Sequence, residues 1–263
     1  MGMSQTGIQG QNFGPGLTKS VEFLGSVAKR PNKPAPEIGE PGPVLLVGAP
    51  GVGKGTQADN LAKLWGVPKI STGDILRANV ANGTALGVQA DRIMKLGGLV
   101  PDQIMTEMVA DRLDLSDTAT GFILDGFPRT VRQAQWLDGY LSIQRRGAHL
   151  GVISMCMDLE QIVKRVIYRR VCPLCKTVYN AQYIPPKQVG RCDKDGSELE
   201  QRSDDSLEVF QTRLDVFKQE TEPLIQYYRD HSLFIEVDAD KPPTLVTRDI
   251  VAGLMGLRTL MSR

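Results

Sequence analysis

From Val44 onward, short apolar runs alternate with amphipathic segments. Val44 to Val47, Pro68 to Ile70, Phe122 to Leu124, Val152 to Met157 and Leu233 to Val237 have the length and apolar character of strands buried on both faces. Between them the period changes. Leu159, Ile162, Val163, Val166 and Ile167 recur at i, i+3, i+4, i+7 and i+8, the stripe of a helix laid on a sheet, and this spacing puts Arg165 and Arg169 together on another face of that helix. A second helix is predicted from about Asp204 or Asp205, where Asp205 and Glu208 form a capping-box pattern ahead of Leu207, Phe210, Leu214 and Phe217. Strands alternating with helices predict an α/β fold, a parallel β-sheet flanked by helices on both faces.

Two stretches break the pattern. Residues 1–42 are rich in Gly, Pro, Gln and Ser, and Pro31, Pro34, Pro36, Pro41 and Pro43 oppose regular backbone pairing, so this segment is expected to be a flexible tail or linker with the folded core spanning 43–263. Val21, Leu24 and Val27 within it have the spacing of a short docking helix, the competing expectation. The second stretch, 171–202, holds three of the four cysteines and an adjacent proline pair but no long amphipathic stripe; it is predicted to be a small inserted lobe.

Composition narrows the function classes. The 263 residues carry 31 Lys+Arg against 30 Asp+Glu, a formal net charge of +1, which is not the footprint of a nucleic-acid binder. An anionic ligand must therefore meet a local basic cluster. No apolar run approaches the roughly 20 residues of a membrane span. Four cysteines are too few for a disulfide scaffold, and the N-terminus has no secretory pattern, so the expected compartment is the cytoplasm.

The most specific chemical signal is Gly48-Ala49-Pro50-Gly51-Val52-Gly53-Lys54-Gly55-Thr56, which lies after a predicted strand and before a predicted helix. Its glycines let successive backbone N–H groups turn inward around phosphate oxygens, the following helix N-terminus adds partial positive charge, and Lys54 reaches the outer phosphates. Gly55 stands where such loops usually carry the hydroxyl that ligates magnesium; the hydroxyl comes one place later, at Thr56. Two further motifs follow strands: Ser71-Thr72-Gly73-Asp74 with Arg77, and Asp125-Gly126-Phe127-Pro128-Arg129 with Gln133. Taken alone, the first reads more simply as a helix N-cap. The second puts a carboxylate at the carboxyl end of a buried strand, where doubly wound sheets bind ligands.

In their order and spacing these three motifs resemble those of the adenylate kinases, nucleoside monophosphate kinases of phosphate-loop architecture, through essentially all of residues 44–263. The resemblance implies phosphoryl transfer between ATP and AMP to give two ADP, by direct in-line transfer with Mg2+ and arginine stabilisation, in purine nucleotide interconversion and energy homeostasis. It implies that Gly51, Val52, Gly53, Lys54, Gly55 and Thr56 hold the ATP phosphates. Thr72 and Gly98, Leu99 and Val100 would line the AMP nucleoside within a helical insert at 71–101. Arg77 and Arg129 would grip the AMP phosphate beside Gly126, Gln133 would read adenine, and Asp125 would organise the metal's waters. Arg165, Arg169, Arg202 and Arg213 fall at the family's arginine positions. A monomer is expected, without nucleic-acid or membrane partners.

In the inserted lobe, Cys172 and Cys175 are followed after sixteen residues by Cys192 and Asp195, a zinc-ribbon spacing with aspartate in the last place. A closed structural Zn2+ site accepts that donor set and would stabilise a lobe too small to have a core. Some adenylate kinases carry such a metal-bearing lid. The alternative, a redox Cys-x2-Cys pair, would open a helix, whereas Lys176 to Asn180 has the look of a strand and turn. Cys156 is expected to be a buried small hydrophobe, and His149 and His231 to be structural or exposed. The competing functions are another monophosphate kinase, with GTP as donor or UMP or CMP as acceptor, and a nucleotide-regulated binding protein whose zinc lobe contacts RNA or a protein partner.

Overall fold

The computed structural model describes residues 42–144, 149–231 and 233–261; the segment containing Val21, Leu24 and Val27 lies outside the described residues. Five strands form one parallel sheet: β1 (Gly42–Val47), β2 (Lys69–Ser71), β3 (Gly121–Asp125), β4 (Gly151–Cys156) and, numbered after a small hairpin, β7 (Leu233–Asp238), in the order β2-β3-β1-β4-β7. The expected α/β architecture is therefore present. Every predicted strand is found, with edges moved by one or two residues.

The period-2 geometry of β1 sorts its side chains into two cores. Leu45 and Val47 join Phe122, Leu124 and Val152 on one face, under α4 (Asp102–Leu113), α5 (Val131–Gln144) and α8 (Glu222–His231). Val44 and Leu46 join Ile123, Ile153 and Met155 on the other, under α1 (Lys54–Trp65), α6 (Leu159–Ile167), α7 (Leu207–Val216) and α9 (Pro243–Met261). Both faces being covered explains why the strand sequences are continuously apolar.

Between β2 and α4, α2 (Thr72–Ala81) and α3 (Ala85–Lys95) make a helical hairpin. Thr84 caps α3 by accepting from Gly87 N at 3.0 Å and donates to Asn79 Oδ1 at 2.8 Å. Between α6 and α7 lies the inserted lobe, with β5 (Arg169–Val171) antiparallel to β6 (Val178–Asn180) and a small cluster of Cys172, Tyr179, Cys192 and Leu199.

Three local expectations need correction. Helix α6 ends at Ile167, so Arg169 is not on it: the chain turns at Tyr168 into β5, where Arg169 is registered opposite Asn180. The cap of α7 is Ser206, whose Oγ accepts from Val209 N at 3.3 Å, because the Asp205 carboxylate is turned instead onto the Arg169 guanidinium. Cys156 is exposed instead of buried: it is the last residue of β4, after five buried ones.

Candidate active site

The phosphate loop begins where β1 ends, at the centre of the sheet. In this register Leu46 lies beside Asp125 and Val47 beside Ser154, so the loop rises between the carboxyl ends of β3 and β4. Gly51 has φ +87, and a Cβ there would lie 2.5 Å from Val166 Cγ2 and 2.9 Å from Ile162 Cγ2 of α6; the position admits no side chain. Lys54 opens α1 and folds back, donating to Gly48 O at 2.7 Å and Ala49 O at 2.8 Å.

A cleft of about 1100 Å³ runs over this loop and beneath the inserted lobe. Into it come Lys54, Arg77, Arg129, Arg165, Arg169, Arg202 and Arg213, from seven different places in the sequence. Their partners differ in a way that matters. Arg169 donates through Nε to Asp205 Oδ2 at 2.8 Å and through Nη2 to Oδ1, a bidentate pair on a carboxylate that is fully buried. Desolvation alone would lower the Arg169 pKa, but Asp205 outweighs it and raises it. Arg213 pairs with Asp204 at 2.7 Å, Arg77 with Asp74 at 2.5 Å, and Arg165 lies 3.8 Å from Asp240. Lys54, Arg129 and Arg202 form no ion pair among the described residues.

That surplus of cations appears in their proton affinities. Desolvation pushes the Lys54 ammonium from its ordinary 10.5 down to about 7, with Arg129, Arg213 and Arg169 adding to the shift and Asp125 opposing it. Desolvation and the neighbouring Arg213 lower Arg129 to about 10, and desolvation with Arg169 and Arg77 does the same to Arg202. Both guanidinium groups remain charged at neutral pH. The arrangement is complementary to a polyanion.

A smaller cavity of about 60 Å³ adjoins the cleft and shares Arg77, Arg129 and Arg213 with it. Thr72, Gly98, Leu99, Val100, Gly126 and Gln133 line the smaller cavity, so the residues of the second and third motifs meet there. Gly126 O ties them together, accepting from Thr72 Oγ1 at 2.9 Å and from Arg129 Nε at 2.8 Å. Ser71 does cap α2, accepting from Asp74 N at 3.2 Å; the N-cap reading and the pocket placement hold at once because different residues of the motif serve them. The Asp125 carboxylate lies next to the loop, its Oδ2 3.4 Å from where a Cβ on Gly55 would stand. One such carboxylate beside a polyphosphate site matches magnesium, which binds through one or two carboxylates, phosphates and retained waters.

In the lobe, ligand atoms of Cys172, Cys175, Cys192 and Asp195 all lie within 4.8 Å of one another. Tetrahedral zinc with Zn–S near 2.3 Å separates its ligands by about 3.8 Å, so the cluster has the right size. Backbone N–H groups of Cys175 and Lys194 donate to the sulfurs of Cys172 and Cys192 at 3.3 and 3.4 Å, contacts suited to stabilising thiolates. Lys176, at φ 59, turns the chain between the first cysteine pair and β6. A redox Cys-x2-Cys pair would instead open a helix.

Two polar residues of the site carry no motif. Gln57, 2% exposed, donates to Pro243 O at 3.0 Å and accepts from Thr247 Oγ1 at 2.7 Å, fastening the helix that starts with Lys54 to the cleft wall at Pro243. Asp102, the first residue of α4, accepts from Gln133 Nε2 at 2.6 Å. In the sequence the first is a polar interruption of an apolar helix face and the second an ordinary acidic residue in a first helical turn.

Fold and site together define a phosphate-loop nucleotide-binding protein with two adjoining pockets and a metal-type lobe over the larger one. The adenylate kinase family model matches residues 46–233. The chain is 45% identical to the adenylate kinase of Archaeoglobus fulgidus over 216 residues, 82% of this chain and 99% of that protein. It is also 45% identical to the adenylate kinase of Caldanaerobacter subterraneus subsp. tengcongensis over 216 residues, covering 82% and 97%, and 43% identical to that of Brevibacillus brevis over 214 residues, covering 81% and 99%. The chain belongs to the adenylate kinase family.

Proposed function

We propose that the protein transfers a phosphoryl group between ATP and AMP to give two ADP, with ATP in the larger cleft and AMP in the smaller cavity. The observation that carries this reading is the crowd of cations lining the larger cleft, of which Lys54, Arg129 and Arg202 have no ion pair among the described residues, while Arg77, Arg129 and Arg213 line the smaller cavity as well. A transferring phosphoryl group spreads negative charge over its oxygens and asks the protein for orientation and charge stabilisation more than for covalent chemistry. Lys54 and the loop N–H groups hold the donor phosphates. Arg77 and Arg129 hold the acceptor phosphate, with Arg165, Arg169, Arg202 and Arg213 around the transferred group. The acceptor phosphate is already a nucleophile at neutral pH, so no general base is required.

Magnesium on the ATP phosphates supplies charge neutralisation when bound, and Asp125 is the residue that would hold its waters. The Cys172, Cys175, Cys192 and Asp195 cluster is assigned to one structural Zn2+, which stiffens a lobe whose apolar cluster is only four residues. Residues 171–202 then act as a lid that excludes water from the cleft, and 71–101 as the acceptor-side insert. Four free cysteines and a small-molecule reaction suit a monomeric cytoplasmic enzyme of purine nucleotide interconversion and energy homeostasis. No described helix is long and apolar enough to cross a membrane.

The test is a panel of nucleoside mono- and triphosphates assayed by separation of products. AMP is expected to be the preferred acceptor and ATP an effective donor, with magnesium required. Preference for UMP or CMP over AMP would move the protein to another monophosphate kinase, and nucleotide binding without turnover would make it a binding protein.

A further inference from the structure

The side-chain amide of Gln133 is held so that only one orientation is possible. Arg129 N lies 2.7 Å from one of its two terminal atoms, and since a backbone N–H only donates, that atom is the oxygen. The other, Nε2, is 2.6 Å from Asp102 Oδ1, and an ionised carboxylate only accepts. Thr130 completes the arrangement. Its hydroxyl accepts from Gln133 N at 3.2 Å and donates to Asp102 Oδ2 at 3.3 Å, so both carboxylate oxygens are occupied by residues of one helix start. Gln133 is 2% exposed and faces the smaller cavity. With one N–H given to Asp102 and one oxygen lone pair taken by Arg129, its amide keeps one donor and one acceptor in fixed order. Asp102 also follows directly on Gly98–Val100 and Pro101, so it joins two walls of that cavity.

We propose that Asp102 is a positioning residue that locks the Gln133 amide and thereby sets which purine the smaller cavity accepts. The inference rests on the assignment of that cavity to the acceptor nucleotide. Adenine presents a ring acceptor beside an amino donor, whereas hypoxanthine presents the reverse, a ring N–H beside a carbonyl. An amide fixed in one orientation pairs with the first and opposes the second; an amide free to turn over tolerates both. In the wild type, turning the amide over would set Nε2 against the Arg129 N–H and Oε1 against the Asp102 carboxylate; without Asp102 only the Arg129 N–H opposes the turn, so the reversed orientation becomes more accessible by the worth of one hydrogen bond.

The experiment compares kcat/KM for AMP and IMP, and KM for ATP, in wild type, Asp102→Ala, Asp102→Asn, Gln133→Leu and the Asp102→Ala/Gln133→Leu double variant. Asp102→Ala is expected to reduce the AMP-over-IMP preference about tenfold, the effect of one buried hydrogen bond, and to leave KM for ATP unchanged. Asp102→Asn, whose amide oxygen still accepts from Nε2, should retain most of the preference. In the Gln133→Leu background the second change should have no further effect on it. An unaltered preference in Asp102→Ala, with the preference lost in Gln133→Leu, would overturn the positioning role and leave the cavity assignment standing. An unaltered preference in Gln133→Leu as well would overturn the cavity assignment itself. A uniform loss with every substrate would mean that Asp102 is merely structural. The wild-type protein supplies a readout independent of how the variants fold: one proton of the Gln133 side-chain amide should be protected from solvent exchange in an NMR spectrum, and rapid exchange of both would contradict the lock.

Discussion

Lys54 shows how the site's charge is organised at the scale of one residue. Its ammonium is buried with backbone carbonyls receiving its protons, and this desolvation, with nearby guanidinium groups adding to it, lowers its pKa to about 7. Phosphate oxygens would reverse that. The free lysine loses its proton as pH rises through 7, while an adjacent polyphosphate raises its pKa, so between those two values ATP binding must take up protons from solvent. Calorimetry at pH 8 in buffers of different ionisation enthalpy should show uptake on the order of one proton per ATP, falling towards zero near pH 6. Lys54→Met should abolish this uptake and lower turnover by roughly 10²-fold or more while leaving the melting temperature close to wild type. ATP binding with no proton uptake at pH 8 would mean that Lys54 is already charged in the free protein or does not meet the phosphates, and the Lys54→Met turnover separates the two.

Among the elements, the α2–α3 hairpin and the inserted lobe are held together by different means. In the hairpin the helices approach so closely at Gly87 that a Cβ there would fall 2.1 Å from Asn79 O, a backbone atom that cannot step aside alone. Gly87→Ala should therefore cost about 1–3 kcal/mol and raise KM for AMP with zinc content unchanged, measured by thermal melting and by kinetics in both substrates. The lobe has too little apolar material to rely on packing. Metal analysis should find one zinc per chain, and chelation should lower the melting temperature of the lobe before activity is lost; an unchanged melting curve after zinc removal would exclude a structural role. Strands and the α6 stripe were legible in the sequence because burial on both faces and period-3.6 patterning are local signals. The end of α6 was not: Arg169 leaves the helix because a hairpin partner, Asn180, and a buried carboxylate, Asp205, claim it from outside the window that periodicity senses. The exposure of Cys156 escaped for a similar reason, since strand composition does not tell where burial ends along the strand.

For the whole molecule, the motifs pointed to the stretches that line the two pockets, because a phosphate loop is a backbone device with a local glycine and lysine signature. They did not reveal how the cations divide. Asp204 and Asp205 looked like helix caps, yet they neutralise Arg213 and Arg169 and leave Lys54, Arg129 and Arg202 as cleft cations without an ion pair among the described residues. Nor could any motif register the Gln57 and Asp102 anchors, whose partners lie 186 and 31 residues away in sequence. The account's central claim is that these two adjoining pockets pass a phosphoryl group from one nucleotide to the other without releasing it to water. It is tested most directly by following ATP, AMP, ADP and inorganic phosphate together by phosphorus NMR in the presence of magnesium. Loss of one ATP and one AMP for every two ADP formed, with no inorganic phosphate, is the predicted result; ATP consumption that proceeds without AMP and releases phosphate would contradict it.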